Sequence, residues 1–187
     1  DDDGRKTFSI GNTNNSTSYD YIDQMIQLPN GKIVAAGAID GRLSVMRFTS
    51  ELQLDPTFGS GGYVSTGVGH GGYWPGITLE VDLEERLLLA GYGRIYRYLP
   101  NGALDTTFGS NGYASIGSRV YGTGLQGDGR IIVATSNGIY RMEQDGQNST
   151  NIISMGSRGV QVWEDGDILA VDNDFDVHRY SRDAVKE

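Results

Sequence analysis

The 187-residue sequence contains no cysteine, only two histidines and only four prolines. The absence of cysteine excludes disulfide bonds, thiolate nucleophiles and cysteine-ligated metals. No apolar run approaches the ~20 residues that cross a bilayer, so membrane insertion is not expected. Basic residues number 15 against 24 acidic ones, which gives a net charge of −9. Because nucleic-acid binding depends on neutralising phosphates, we expect no nucleic-acid partner.

Glycine, in contrast, is abundant. The chain has 28 glycines, about twice the usual share, which indicates a fold rich in turns. It also repeats itself: the segment 54–65, Leu-Asp-Pro-Thr-Phe-Gly-Ser-Gly-Gly-Tyr-Val-Ser, returns 50 residues later as segment 104–115, which is identical at nine of the twelve positions. A fixed internal period of this length is typical of repeat architectures.

Two further elements occur four times each. The first is a tight turn, often Asn-Gly or Asp-Gly, that leads into a short apolar run; its copies are residues 28–37, 83–91, 127–134 and 164–171. Asn-Gly and Asp-Gly favour two-residue hairpin turns, and the residues after them suit a strand. The second is an alternating strand that contains one arginine in each copy: Arg47, Arg97, Arg141 and Arg179.

No segment shows the sustained spacing of an amphipathic helix, so we predict an all-β protein. Each repeat is predicted to form a four-stranded antiparallel meander, and meanders repeated around an axis form a β-propeller. We therefore predict one propeller domain over residues 1–187 with about four blades. The expected units are residues 19–67, 73–117, 119–156 and 158–187, with segment 3–11 completing the last blade. The alternative is that the chain is an arc of a larger ring.

The segments 28–37 and 54–63, together with the arginine strands, resemble the delta-60 repeat family of bacterial and phage-associated β-propeller proteins. The resemblance covers essentially the whole chain, but it weakens in the third unit, where residues 147–150 replace the Leu-Asp-x-Thr-Phe-Gly signature. It implies a propeller and a location outside the cell, on a cell surface or on a virion. It implies no reaction, since a fold is a scaffold and activity belongs to a site.

The four arginines allow two interpretations. If Arg47, Arg97, Arg141 and Arg179 projected into a central channel, they would form a cationic ring for an anionic ligand. Alternatively each is a structural tie. Arg47 and Arg97 are each followed eight residues later by an aspartate, and Arg179 by Glu187. Ion pairs at that spacing would explain one arginine per repeat without any ligand, and we favour this interpretation.

Two loops on the predicted rim carry candidate sites. His70, Tyr73 and Trp74 lie in the connection between the first two repeats, where exposed aromatic rings would form a contact platform for a protein or a sugar. Asp172, Asp174 and Asp176 alternate in a loop of the last repeat and are candidate oxygen ligands for Ca²⁺. The alternatives are that Trp74 packs between blades and that the aspartates are solvated turn residues.

Catalytic patterns are sparse. The sequence has no Gly-x-Ser-x-Gly motif and no His-Glu-x-x-His motif, so we predict a non-enzymatic module that needs no cofactor. The leading expectation is recognition of a protein or glycan through the rim loops near residues 12–20, 67–76, 117–122 and 156–159. A structural or receptor-binding component of a larger assembly, including a homo-oligomer, is the main alternative, and a hydrolase with a site in the central channel is the third.

Overall fold

The computed structural model describes residue 10, residues 20–69 and residues 76–184. Within these ranges the chain forms strands and turns and no helix, which confirms the all-β prediction. Accordingly, the described residues include no helix of the length and apolarity needed to cross a membrane. The strands, in chain order, are β1 (Tyr21–Gln27), β2 (Ile33–Ile39), β3 (Arg42–Phe48), β4 (Tyr63–Gly69), β5 (Thr78–Val81), β6 (Leu87–Gly91), β7 (Arg94–Tyr98), β8 (Tyr113–Ser115), β9 (Val120–Leu125), β10 (Ile131–Thr135), β11 (Gly138–Met142), β12 (Thr150–Ile153), β13 (Ser157–Val162), β14 (Ile168–Asp172) and β15 (Val177–Tyr180).

The strands form consecutive antiparallel meanders, as the repeats predict. Strands β1–β4, β5–β8 and β9–β12 each make a four-stranded sheet, and β13–β15 make a three-stranded sheet in the described part of the chain. We call these sheets blades 1 to 4, because four-stranded meanders of this kind are the blades of a β-propeller. The segment 3–11 that is predicted to complete blade 4 lies, except for Ile10, outside the described residues, so its pairing stays a prediction.

The chain divides into two compact units. The first, residues 1–73, contains blade 1, and the second, residues 74–187, contains blades 2 to 4. In the first unit, one face of blade 1 forms a buried cluster that includes Ala35, Met46 and Phe48, and Ile10 packs against it. Apolar residues on alternate positions of each strand supply this face, as the period of two requires.

In the second unit, neighbouring blades pack face to face. Leu88 and Ile95 of blade 2 share one cluster with Val133 and Met142 of blade 3. The other face of blade 3 packs against blade 4, in a cluster that contains the residues Ile132, Ile139, Ile168 and Tyr180. Both faces of blade 3 are therefore buried. This explains why its middle strand β10 is apolar at every position from 131 to 134 rather than alternating with polar residues.

The hairpin turns differ in type from the sequence prediction. The Asn-Gly and Asp-Gly pairs lie in longer loops, such as residues 28–32, in which the glycine alone has a positive φ; in blade 1 this is Gly31, at +82°. The two-residue turns with two positive φ values connect the second and third strands instead, at Asp40-Gly41 and Tyr92-Gly93. The prediction assigned the two-residue turn to the connection between the first and second strands of each blade. Asn-Gly is equally suited to a longer loop, so the dipeptide alone does not distinguish the two connections.

The first strands of blades 2, 3 and 4 lie side by side, with β9 in contact with both β5 and β13. Polar side chains join two of them: the hydroxyls of Thr78 and Thr123 are 2.8 Å apart, and Thr123 donates to the Glu80 carboxylate at 3.1 Å. Burial raises the pKa of Glu80 to about 7, against the opposing effect of the Thr123 hydrogen bond. Near neutral pH this carboxyl group is therefore partly protonated.

Replacing Glu80 by glutamine is expected to remove a pH dependence of the free energy of unfolding. Between about pH 4.5 and 7 the folded protein keeps a proton on Glu80 that the unfolded chain has released. Folded-state stability is therefore highest below this window and falls as the pH rises through it, by on the order of 1–3 kcal/mol. Thermal unfolding followed by circular dichroism at pH 5 and pH 7.5 measures the difference. If the unfolding temperature of the wild type and of Glu80→Gln changed by the same amount between these pH values, the raised pKa of Glu80 would be contradicted.

Candidate functional site

The repeated arginine of blade 1 is held in a network of buried polar groups. Arg47 on β3 donates from Nε to Oδ2 of Asp55 at 2.8 Å, and Lys32 donates to the same oxygen at 2.9 Å. The other carboxylate oxygen accepts the backbone N–H and the hydroxyl of Thr57, at 3.0 and 2.6 Å. The guanidinium lies 4.7 Å from the centre of the Phe58 ring. Arginine, aspartate, threonine and phenylalanine thus form one unit, which we call the Asp-x-Thr-Phe network.

Blade 2 repeats this network almost atom for atom. Arg97 donates to Asp105 at 2.7 Å, Thr107 donates to the other oxygen, and the Phe108 ring lies under the guanidinium at 4.7 Å. Burial raises the pKa of Asp105, but hydrogen bonds from Thr107 and Arg97 outweigh this effect and hold the pKa below its usual value. The predicted ion pairs at a spacing of eight residues, Arg47–Asp55 and Arg97–Asp105, are confirmed.

Arg97 also joins two blades. Its Nη1 donates to the backbone carbonyl of Gln144 in blade 3 at 2.6 Å. The loop that carries Phe108 adds a second link, since the N–H of Gly109 donates to the carbonyl of Asp145 at 2.7 Å. The carboxylate therefore fixes the orientation of a guanidinium whose remaining donors bind the next blade.

Blade 4 keeps the arginine but takes its carboxylate from a different element. Arg179 donates to Asp167 at 2.6 Å, and its guanidinium lies 4.6 Å from the centre of the Trp163 ring. Asp167 lies in the turn before β14, at the repeat position that Lys32 occupies in blade 1. Glu187, the partner that the spacing predicts, lies outside the described residues. The repeat pattern does not identify Asp167 as this partner, because the carboxylates of blades 1 and 2 follow the arginine strand whereas Asp167 precedes it.

Blade 3 is the exception. Arg141 donates to the carbonyl of Arg182 in blade 4, which is the same kind of link that Arg97 makes. Among the described residues, however, no carboxylate forms an ion pair with it. Burial and the nearby charge of Arg130 lower the pKa of Arg141. Thus Arg47, Arg97 and Arg179 are each paired with a carboxylate, as the structural-tie interpretation predicts, whereas Arg141 differs from them.

The two predicted rim sites have different outcomes. His70, Tyr73 and Trp74 lie outside the described residues, so their role stays a prediction. Asp172 lies in its loop with one oxygen accepting the backbone N–H groups of Asp174 and Asp176, both at 2.9 Å, and the other 2.8 Å from Nε2 of His178. The hydrogen bond from His178 lowers the pKa of Asp172.

These contacts argue against the calcium hypothesis. Asp172 is used by its own turn and by His178, while Asp174 and Asp176 offer backbone N–H groups to it. In residues 76–184 and the other described ranges, no group of three or more acidic or histidine side chains is placed to hold a metal ion. The three aspartates are therefore not gathered into a metal site among the described residues.

A cavity lies between blades 2 and 3, at the end of the strands where the turns before β6 and β10 meet. Its volume is about 350 Å³, which is in the range of small-ligand pockets. The apolar part of the lining comes from Val81, Leu83, Leu88 and Leu125, and the polar part includes Asp82, Glu84, Arg86, Arg97, Gln126, Asp128 and Gln144. Arg97, the arginine of the Asp-x-Thr-Phe network, thus also lines this cavity.

The turn at residues 82–86 supplies charged side chains and an exposed leucine to the mouth of the cavity. Arg86 donates to Asp82 at 2.6 Å and to Glu84 at 2.9 Å, so the charges at the mouth are paired. Leu83 is 93% exposed at the same mouth. In the other repeats this turn contains Asn-Gly or Asp-Gly, and the run Leu83-Glu84-Glu85 replaces it in blade 2. The absence of this glycine-containing pair in blade 2 is the feature of the sequence that marks the turn beside the cavity. The predicted rim loops at 117–122 and 156–159 lie at the other end of the strands.

Comparison with known proteins agrees with this architecture. Residues 28–58 and 86–108 match the family described as "Domain of unknown function (DUF5122) beta-propeller". These segments include the Arg–Asp ion pairs of blades 1 and 2. The chain is built of β-propeller repeats. No curated protein matches the chain.

Several solved structures share the fold. PorZ, described as an essential bacterial surface component of the type-IX secretion system of Porphyromonas gingivalis, is 12% identical with a TM-score of 0.60 over 89% of this chain. The extracellular domain of BT4673 from B. thetaiotaomicron is 15% identical (TM-score 0.56, 84% of this chain), and a streptogramin B lyase is 12% identical (TM-score 0.53, 86%). The chain spans 22%, 21% and 54% of those proteins, respectively. Identities this low indicate a common fold and nothing further about activity.

Replacing Asp105 by asparagine is expected to lower the free energy of unfolding by about 3–5 kcal/mol, because Arg97 would remain buried without its anionic partner. The exposed pair of Arg86 and Glu84 provides a matched control, and Glu84→Gln is expected to cost at most about 1 kcal/mol. Urea unfolding at pH 7 measures both. Since the pKa of Asp105 is lowered in the folded state, the wild type is also expected to lose this stabilisation as the pH falls below about 4. Similar losses in the two variants would contradict a structural role for the buried pair.

Proposed function

We propose that this protein is a non-enzymatic recognition module, of the delta-60 repeat type, that binds a segment of another protein in the cavity between blades 2 and 3. The observation that carries the proposal is a cavity of about 350 Å³ with an almost fully exposed leucine, Leu83, at its mouth. A concave surface with an apolar lining and a few polar groups is typical of binding sites.

The lining indicates the chemistry of the partner. Val81, Leu88 and Leu125 offer an apolar contact, and none of the described lining residues is aromatic, so the surface suits an aliphatic side chain better than a stacked sugar ring. Glu84 at the mouth is 66% exposed at its side chain. The chain as a whole carries a net charge of −9, which accelerates association with cationic partners. The expected partner is thus a peptide segment with an aliphatic residue next to lysine or arginine.

The pKa of one lining carboxylate, Asp128, supports binding over acid–base catalysis. A hydrogen bond from Arg130 lowers the pKa of Asp128 to about 2. Asp82 and Glu84 share the guanidinium of Arg86. A general acid needs a pKa near the working pH, and a carboxylate held this acidic by its arginine is suited to a fixed charge.

Two of the fold relatives support a location outside the cell. PorZ is named as a bacterial surface component, and the BT4673 structure is an extracellular domain. A location at the cell surface, in secreted material or on a virion is therefore part of the proposal. The streptogramin B lyase has an enzyme name, but its likeness to this chain extends to the fold alone.

Selection of a random heptapeptide library on the intact protein tests the proposal. Enriched peptides are expected to combine an aliphatic residue with a basic one, and a Leu83→Asp variant is expected to bind them at least about tenfold more weakly in a titration, since a charged side chain cannot provide the apolar contact that Leu83 offers at the mouth. Circular dichroism would establish that the variant is folded.

The matched control is Phe175→Asp. Phe175 is 80% exposed and lies in the turn between β14 and β15, at the opposite end of the strands from the cavity. The substitution introduces the same charge at an equally exposed apolar residue, so peptide affinity is expected to stay unchanged. If Phe175→Asp abolished binding and Leu83→Asp did not, the contact surface would be the other rim and the proposal would be wrong.

A further inference from the structure

Blade 3 retains the arginine of the Asp-x-Thr-Phe network, and the loop after its arginine strand lacks the Asp-x-Thr-Phe residues. Arg97 in blade 2 and Arg141 in blade 3 occupy the same position in their strands, and each donates to a backbone carbonyl of the following blade, at Gln144 and Arg182. The link between blades is therefore intact at Arg141. What differs is the loop that follows: residues 143–149 separate β11 from β12, whereas the longer segment 99–112 separates β7 from β8 and carries the aspartate and phenylalanine.

The shorter loop leaves a donor without an acceptor. In blades 1, 2 and 4 the arginine Nε donates to a carboxylate oxygen at 2.8, 2.7 and 2.9 Å. The Nε of Arg141 is buried and makes no hydrogen bond. A buried N–H without a partner costs on the order of 1–3 kcal/mol, and native proteins normally satisfy such a group. The internal comparison with three sibling repeats identifies the missing partner as a carboxylate.

A second unsatisfied atom lies at the same seam between blades 3 and 4. Gln126, which is 2% exposed, donates from Nε2 to the carbonyls of Gly166 and Arg182, at 2.9 and 3.1 Å. These two bonds fix the orientation of its amide, so Oε1 is an acceptor, and it is buried without a partner. Arg141 and Gln126 thus converge on the same Arg182 carbonyl, and in the described part of the chain theirs are the two buried side-chain atoms that lack a hydrogen bond.

The neighbouring carboxylate is already used. Asp128 accepts from Arg130 at 2.6 Å and from Arg182 at 3.1 Å, and it makes no bond to Arg141. Arg182 and Asp128 are 48% and 37% exposed at their side chains. The seam is therefore bordered by partly exposed side chains.

We propose that the seam between blades 3 and 4 is a binding site for a small free hydroxycarboxylate. Its carboxylate accepts from Nε of Arg141, as the aspartates do in the sibling blades, and its hydroxyl donates to Oε1 of Gln126. A ligand that offers both groups satisfies both atoms, whereas a carboxylate alone satisfies one. Because the two atoms are buried, the ligand is small. Gln126 also lines the cavity between blades 2 and 3, whereas Arg141 does not, and the inference does not rest on the proposed function.

Calorimetric titration with glycolate, acetate and glycolamide at constant ionic strength tests the proposal. Glycolate carries both groups, acetate lacks the hydroxyl, and glycolamide lacks the charge. Glycolate is expected to bind saturably and at least about tenfold more tightly than either of the others, a factor that corresponds to one good hydrogen bond. Arg141→Lys keeps the charge and removes Nε, so it is expected to reduce glycolate affinity at least about tenfold. Arg94→Lys, on β7, is the matched control and is expected to bind as the wild type does.

Crystals of the wild type soaked in glycolate give a measurement that does not depend on the folding of any variant. Glycolate density within hydrogen-bond distance of Arg141 Nε and Gln126 Oε1 would support the site. An ordered water bridging the two atoms, with no glycolate, would overturn it. Equal affinity for glycolate and acetate, no saturable binding, or an unchanged affinity in Arg141→Lys would overturn it as well.

Discussion

The buried arginine–carboxylate pair is the interaction on which the arrangement of the blades depends. A guanidinium cannot be left buried without an anionic partner except at a cost of several kcal/mol. Asp105 meets that requirement for Arg97, and Thr107 and the Phe108 ring hold the carboxylate and the guanidinium in one geometry. The remaining guanidinium donors are then fixed in direction, and one of them binds the carbonyl of Gln144 in the next blade. An ion pair inside one repeat thereby determines the contact between two repeats.

The constraint acts on charge and position in space, and it leaves the sequence position of the carboxylate free. Blades 1 and 2 supply the carboxylate from the loop after the arginine strand, and blade 4 supplies it from Asp167 in the turn before β14. Both sources place a carboxylate oxygen within hydrogen-bond distance of the arginine Nε, because both elements lie at the same end of the sheet. The repeats can therefore diverge in sequence while they retain the same electrostatic arrangement, which is how nearest-neighbour repeat architectures tolerate variation.

The same reasoning explains what the sequence predicts and what it does not. The strands and the Arg47–Asp55 and Arg97–Asp105 pairs follow from periodicity and spacing, because both are local properties of one repeat. The pairing of Arg179 with Asp167 does not, since it requires knowing that the turn before β14 and the end of β15 meet in space. The cavity is harder still to predict. Its walls come from turns of two different repeats, and the angle at which neighbouring blades pack is not encoded in any single motif.

The turn at residues 82–86 connects the scaffold to the proposed binding site. At the position where the other repeats have Gly31, Gly129 and Gly166, all with positive φ, blade 2 has Glu85 with φ at +57°. A non-glycine residue in this conformation costs about 1 kcal/mol or more. A glycine would remove that cost without altering the turn, so stability of the fold alone does not account for the residue. Glu85 thus replaces the repeat's glycine directly after Leu83 and Glu84, which line the cavity. A strained turn that carries exposed apolar and charged side chains is what selection for contact with a partner would retain, and this is why we place recognition at this end of the blades.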